Sequence, residues 1–481
     1  MDGNHDTLSG MRRARTAVLF LIYSLLVAGV AAGDTSVAET SLDQQTDIAV
    51  TAYNNGLALV RDTRKLALPT GEIQLKFMDV AEKIRPETVG LRSLSQAASI
   101  QILEQNYEYD LISPSKLLEK YVGKPVKLVN HSTEVDFDTV EAELLSTNGG
   151  AIYRVNNEIY LGFPGTVVLP EIPANLIAKP SLIWLLDNAA ADQTLEVTYL
   201  TQGISWTADY VVTLARDDPS LHLAGWVTMN NQSGATFSNA QLKLVAGEVN
   251  IVQEAEDKFF AGAEVVRRKR EVLPREEAFA EYHLYTMPRR TTIKQNESKQ
   301  LALLEAADVT CAKKYEYRGQ VQFYSRRMPP RRDEHVSVFL EFRNDEKNRL
   351  GMPLPAGTMR IYQEDQDGAL QFAGEDRIQH TPKDEKVRLR MGNAFDVVGE
   401  RIQTDFKRIS QNVFQAAFEI TVRNHKENEI QVDVVEPMPS DWEILEKSQD
   451  YVKKDAQTAI FSMTIPPDGE GKVVYRVQVR T

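Results

Sequence analysis

The sequence predicts a mainly β protein, with several small antiparallel β domains in tandem: an SH3-like barrel and immunoglobulin-like sandwiches. Three observations predict it. Apolar residues recur at every second position in short runs, such as Ile73, Leu75 and Phe77, or Val473, Tyr475, Val477 and Val479, and this period puts one set on each face of a strand. Turn signals punctuate the runs, among them Asn54-Asn55-Gly56, Pro69-Thr70-Gly71 and Pro466-Pro467-Asp468-Gly469,. A chain of 481 residues is also too long for one core,.

Composition supports ordered domains, because 42% hydrophobic and 26% charged residues are enough to bury a core,. The formal net charge of −13 disfavours nucleic acid as a partner,.

The N-terminus has the three-part layout of a secretory leader. Arg12, Arg13 and Arg15 precede an apolar run from Thr16 to Ala32, which closes on the small residues Val30-Ala31-Ala32,. Residues 1–32 are therefore expected to be a signal peptide, and the mature chain to be exported, periplasmic or extracellular. An uncleaved anchor is the competing reading; it would tether the protein to the membrane by its leader alone. The run is at the short limit for spanning and contains Tyr23, Ser24 and Gly29,. One cysteine, Cys311, excludes an intramolecular disulfide framework and reads as a small core residue,.

The elements follow in order. Residues 33–47, rich in Ser, Thr, Asp and Gln, read as a tether. Residues 48–99 form an N-terminal β segment. Residues 100–175 form the small barrel-like domain, which starts with a short helix capped by Ser113, primed by Pro114 and stopped by Gly123, followed by five short strands,. Residues 180–345 give a β-sandwich, with Trp206 and Trp226 as core aromatics, interrupted by a charged insertion at 253–332. Residues 346–481 give a C-terminal sandwich whose strands include Phe418, Ile420 and Val422,.

From Glu264 to Glu334 there are 16 Lys and Arg against 11 Asp and Glu. This local excess makes Arg267, Arg268, Lys269 and Arg270, with Arg326, Arg327, Arg331 and Arg332, a candidate docking segment for an acidic envelope protein or an anionic polymer. A solvated loop with a β-hairpin, His283-Leu284-Tyr285 and then Leu301 to Leu304, is the plainer reading,.

Motifs of chemistry are missing. There is no G-x-S-x-G elbow, no phosphate-binding G-x-x-x-x-G-K loop, no H-E-x-x-H and no C-x-x-C pair, and the seven histidines stand singly,. No catalytic residue, metal site or cofactor is predicted. Asp365-Gln366-Asp367-Gly368 lacks the downstream Glu of a calcium loop and reads as a tight turn,. One cluster remains: Glu375, Asp376, His380 and Asp396. Carboxylates beside an imidazole have the chemistry to bind a hard cation or a polysaccharide, or to serve as acid and base on a glycoside. In Gly-rich turns the same residues hydrogen-bond their own backbone.

Several blocks resemble a known family. They include Gly203-Ile-Ser-Trp206-Thr-Ala-Asp-Tyr210, Asn231-Gln-Ser233-Gly234 and Gly351-Met-Pro-Leu-Pro355-Ala-Gly357. Further along come Gly374-Glu375-Asp376, Gly392-Asn-Ala-Phe395-Asp396-Val397, and Asn424 with Glu436 and Trp442. In this order they resemble a bacterial domain-of-unknown-function family found at the C-terminal end of mucoidy-inhibitor-type proteins, over roughly residues 195 to 481. The resemblance implies a β-rich, exported envelope protein and carries over no catalytic residue. Many members of that family carry a coiled coil before this region, whereas residues 100–173 show strands without heptads.

Overall fold

The structure is a computed structural model that describes residues 36–130, 138–173, 176–215, 220–247, 275–279, 281–439 and 441–480. The expected signal peptide, residues 1–32, and the basic residues 267–270 lie outside the described residues. The described residues form thirty strands, one α-helix and four 3-10 turns, joined by loops.

The first sandwich faces a four-stranded sheet against a larger one. The four run in the order Ser36–Thr40, Gly71–Met78, Ser181–Asn188, Ile100–Glu108. The larger sheet includes Gln45–Tyr53, Leu57–Ala67, Asp192–Gln202 and Phe237–Ala246. Trp184 fills the space between them, with no exposure, edge-on to Phe77 at 6.0 Å. Each such burial is worth about 1.5–3 kcal/mol.

The expected tether is a correction. Ser36–Thr40 pairs in parallel with Gly71–Met78, and Ser41 caps a 3-10 turn by taking part in a capping box with Gln44. Its physical anchor is Arg64, fully buried, which donates to Thr40 O at 3.1 Å and Met78 O at 2.9 Å while pairing with Asp62 at 2.8 Å and lying 3.6 Å over Phe77. The strand is a mostly exposed sheet edge, so polar side chains conceal it,.

The boundaries expected at 99 and 180 do not separate two bodies. Leu57–Ala67 pairs along its whole length with Asp192–Gln202, and Ile100–Glu108 pairs with Ser181–Asn188. The small domain is thus inserted between two neighbouring strands. It has its own core of Tyr121, Val126, Leu128, Ala142, Leu144, Tyr153 and Val155. Its helix, Pro114–Lys120, starts where Ser113 Oγ accepts from Lys116 N at 3.2 Å. Five strands pair in the order Thr166–Val168, Pro125–Asn130, Asp138–Ser146, Ile152–Val155, Glu158–Leu161, so the strand latest in the chain lies beside the earliest. The expected barrel is open, since its two end strands do not pair.

Residues 281–332 of the expected charged insertion carry more strand than a loop with one hairpin. Glu297–Arg318 is a 22-residue strand, paired first with Ser220–Asn231 and then with Arg331–Arg343. Together with Arg331–Arg343 and Lys386–Arg408 it runs through two hydrophobic cores. Cys311, Leu340, Phe342, Val387 and Leu389 belong to the first, and Tyr317, Val336 and Val397 to the second. No break falls at 345 either, because Gly357–Glu364 pairs in parallel with Ile204–Leu214 in the first core. Antiparallel pairing dominates, but four pairs are parallel.

Candidate functional site: a crease between two cores

Three asparagines first explain much of what the sequence blocks do. Asn231, Asn344 and Asn424 each stand at the end of a strand and have no exposed surface. Asn231 Nδ2 donates to Ala235 O and Ile293 O, while its Oδ1 accepts from Ser233 N. Asn344 Nδ2 donates to Met352 O and Pro382 O, and Gly351 N donates back to it. Asn424 Nδ2 donates to Asn428 O and Pro466 O, and Lys426 N donates to its Oδ1. One side chain thereby satisfies several buried backbone groups where the ladder stops.

The predicted carboxylate cluster is distributed among separate partners. Glu375 and Asp376 are neighbours in Leu370–Ile378, so their side chains leave opposite faces,. Glu375 sits 3.4 Å from Arg360. Asp376 Oδ2 accepts from Arg390 N at 2.7 Å and Oδ1 from Arg377 N, tying the hairpin to Lys386–Arg408. His380 Nδ1 accepts from Ala356 N at 3.2 Å. Asp396 is 3.9 Å from Lys426. Among the described residues no three His, Cys, Asp or Glu side chains form a group able to hold a metal.

Half of the basic segment is ion-paired where it is described. Arg331 pairs with Glu334 at 2.5 Å and Arg332 with Glu400 at 3.1 Å. Arg326 and Arg327 are exposed.

A different pair of cations comes together. In Glu297–Arg318 the pairs Cys311 with Phe342, Lys313 with Leu340 and Tyr315 with Val338 put Lys313 on the face of buried Leu340. The lysine therefore sits where the first core ends and the second begins. Its ammonium donates to Gln363 Oε1 at 3.3 Å, and no carboxylate among the described residues forms an ion pair with it. Lys313 keeps solvent access, yet surrounding protein first and the charge of Lys426 second hold its pKa below the ordinary lysine value, with Cys311 opposing,.

Asp396 completes the crease from a bulge. His335 pairs with Val398 and Ser337 with Asn393, so the four residues 394–397 face only Val336,. Ala394 and Val397 turn inward, Phe395 is 96% exposed, and His425 N donates to Asp396 O at 2.8 Å. Burial and the Asp396 charge both raise the Tyr315 pKa, keeping the phenol protonated. The arrangement offers two ammoniums and one carboxylate, a net of one positive charge, at the surface where the two cores meet.

Lys313 is not among the residues singled out from the sequence. Its signal was there: a charge in the inward register of Cys311, Lys313, Tyr315 and Tyr317.

The fold and the crease define a multi-sandwich all-β protein without the side-chain grouping of a metal centre among its described residues. Residues 195–481 match the family described as Domain of unknown function (DUF4139), and the chain belongs to that family. No curated protein matches the sequence.

Proposed function

We propose that the protein is an exported, non-enzymatic binding or scaffold protein of the cell envelope, and that the crease seats an anionic group of its partner. The observation that carries this reading is Lys313, an exposed cation bonded to Gln363, lying near the charge of Lys426 and paired with no carboxylate among the described residues. An incoming anion relieves both the desolvation and the repulsion. The leader-like residues 12–32 support export, and the strands through both cores supply a stiff spacer. The link to mucoidy-inhibitor-type proteins belongs to this reading as well, through the blocks named above.

The test compares the wild-type chain with Lys313→Met/Lys426→Met as bait in envelope extract. A partner captured by the wild type, released by salt and lost in the variant supports the reading. Equal recovery by both, or an N-terminus and location showing retention in the cytosol, overturns it.

A further inference from the structure

Seven of the twenty-one exposed large hydrophobic side chains among the described residues lie between positions 122 and 172, in the inserted domain. Three are consecutive. Ile159 is 54% exposed, Tyr160 42% and Leu161 84%, all on the strand Glu158–Leu161. That strand ends its sheet, paired only with Ile152–Val155, and its outer edge meets no other strand among the described residues. It has no lysine, no proline and no bulge, and its one charge, Glu158, stands at its first position,.

We propose that this edge pairs antiparallel with the same edge of a second copy of the chain, across a two-fold axis through Tyr160. Backbone phase and side-chain chemistry both fit. Gly162 N donates inward to Ala151 O at 2.9 Å, so by alternation Glu158 and Tyr160 also direct their amides inward, and Ile159 and Leu161 direct theirs outward,. A two-fold axis perpendicular to the sheet must pair residues on the same face. With Tyr160 opposite itself, Ile159 of each copy faces Leu161 of the other as a hydrogen-bonded pair, giving four new ladder bonds. The two tyrosines meet as a non-hydrogen-bonded pair, where side chains come closest. Glu158, the only charge in the strand, falls opposite Gly162, so no like charges oppose each other,. Self-complementarity of this kind is what an isologous contact requires, and it selects a second copy over an unrelated strand.

A contact of this length is small, so the dimer is concentration-dependent. Sedimentation of the full chain over a wide concentration range tests it. The expected result is a monomer that becomes a dimer as concentration rises. Ile159→Pro removes an outward amide and spares the inward ones; the variant stays monomeric with an unchanged melting temperature, while Tyr160→Phe dimerises as the wild type does. Should Ile159→Pro melt early, Leu161→Lys, altered at a position facing water, gives the same reading. A wild type that sediments as a monomer throughout, or a dimer that survives Leu161→Lys, overturns the proposal.

Discussion

Arg401 and Glu436 form an ion pair inside the second core, Nη2 to Oε1 at 2.6 Å, with side chains 3% and 0% exposed. Tyr324 and Tyr475 donate to Glu436 Oε2 at 2.5 and 2.8 Å, so the carboxylate has three partners. Arg401 is less well served, because its Nε and Nη1 have no hydrogen-bond partner. Its guanidinium instead lies 5.2 Å from the centre of the Tyr317 ring and 5.4 Å from that of Phe323,.

Breaking this pair from one side is expected to be severe. Glu436→Gln leaves an uncompensated buried cation and should cost about 3–5 kcal/mol, read as a lowered urea midpoint. Arg401→Met/Glu436→Leu removes both charges and should recover most of that loss. A single variant as stable as the double would show that the pair is already solvated.

Alkaline pH should unfold the protein from the same core. Burial raises the Tyr324 and Tyr475 phenols well above their usual value of 10.0. In the unfolded chain these groups ionise from about pH 10, while the native chain keeps its protons. Stability is therefore complete below that pH and falls as pH rises beyond it. Tyr475→Phe should flatten the fall in a chemical-denaturation series above pH 10, and an unchanged slope would assign it elsewhere.

The strand-ending asparagines should be intolerant of change. Asn424→Ala strands backbone carbonyls of Asn428, Ile465 and Pro466, the last two at a turn between strands. A loss of about 1–3 kcal/mol is expected per group left unsatisfied. Asn424→Asp should be no better, since a carboxylate keeps the acceptor but lacks the donor.

Gly374 should resist even alanine. Its φ of 143° is a glycine conformation, and an added Cβ would stand 2.4 Å from Met391 O, where the hairpin crosses Lys386–Arg408. Gly374→Ala should cost more than about 1 kcal/mol. It should also loosen Asp376 from Arg390, seen as faster amide exchange at Arg390.

Lys313 should trade stability against binding. Lys313→Met removes a crowded cation and its repulsion from Lys426, so its thermal midpoint should rise, by less than about 1 kcal/mol equivalent because water still screens the site,. The same variant should bind anionic partners less well. A fall in the midpoint would mean that the bond to Gln363 outweighs the repulsion.

Alternation along the chain was enough to determine that this is a β protein, where most strands lie, and that Ser113 starts a helix, because each depends on neighbours within a few residues. Sequence blocks likewise pointed to the turns that Asn231, Asn344 and Asn424 hold closed. What the sequence did not determine is who pairs with whom. The parallel pairing of Gly357–Glu364 with Ile204–Leu214, the place of Ser36–Thr40 in the first sheet and the insertion of the small domain all join segments far apart in sequence. Glu297–Arg318 was obscured because bulges against Ser220–Asn231 shift its pairing and charged side chains occupy its wet positions,. The crease is tertiary in the same sense. Lys313, Gln363 and Lys426 are ordinary surface residues in the sequence, and only the continuation of three strands from one core into the next sets two ammoniums near each other.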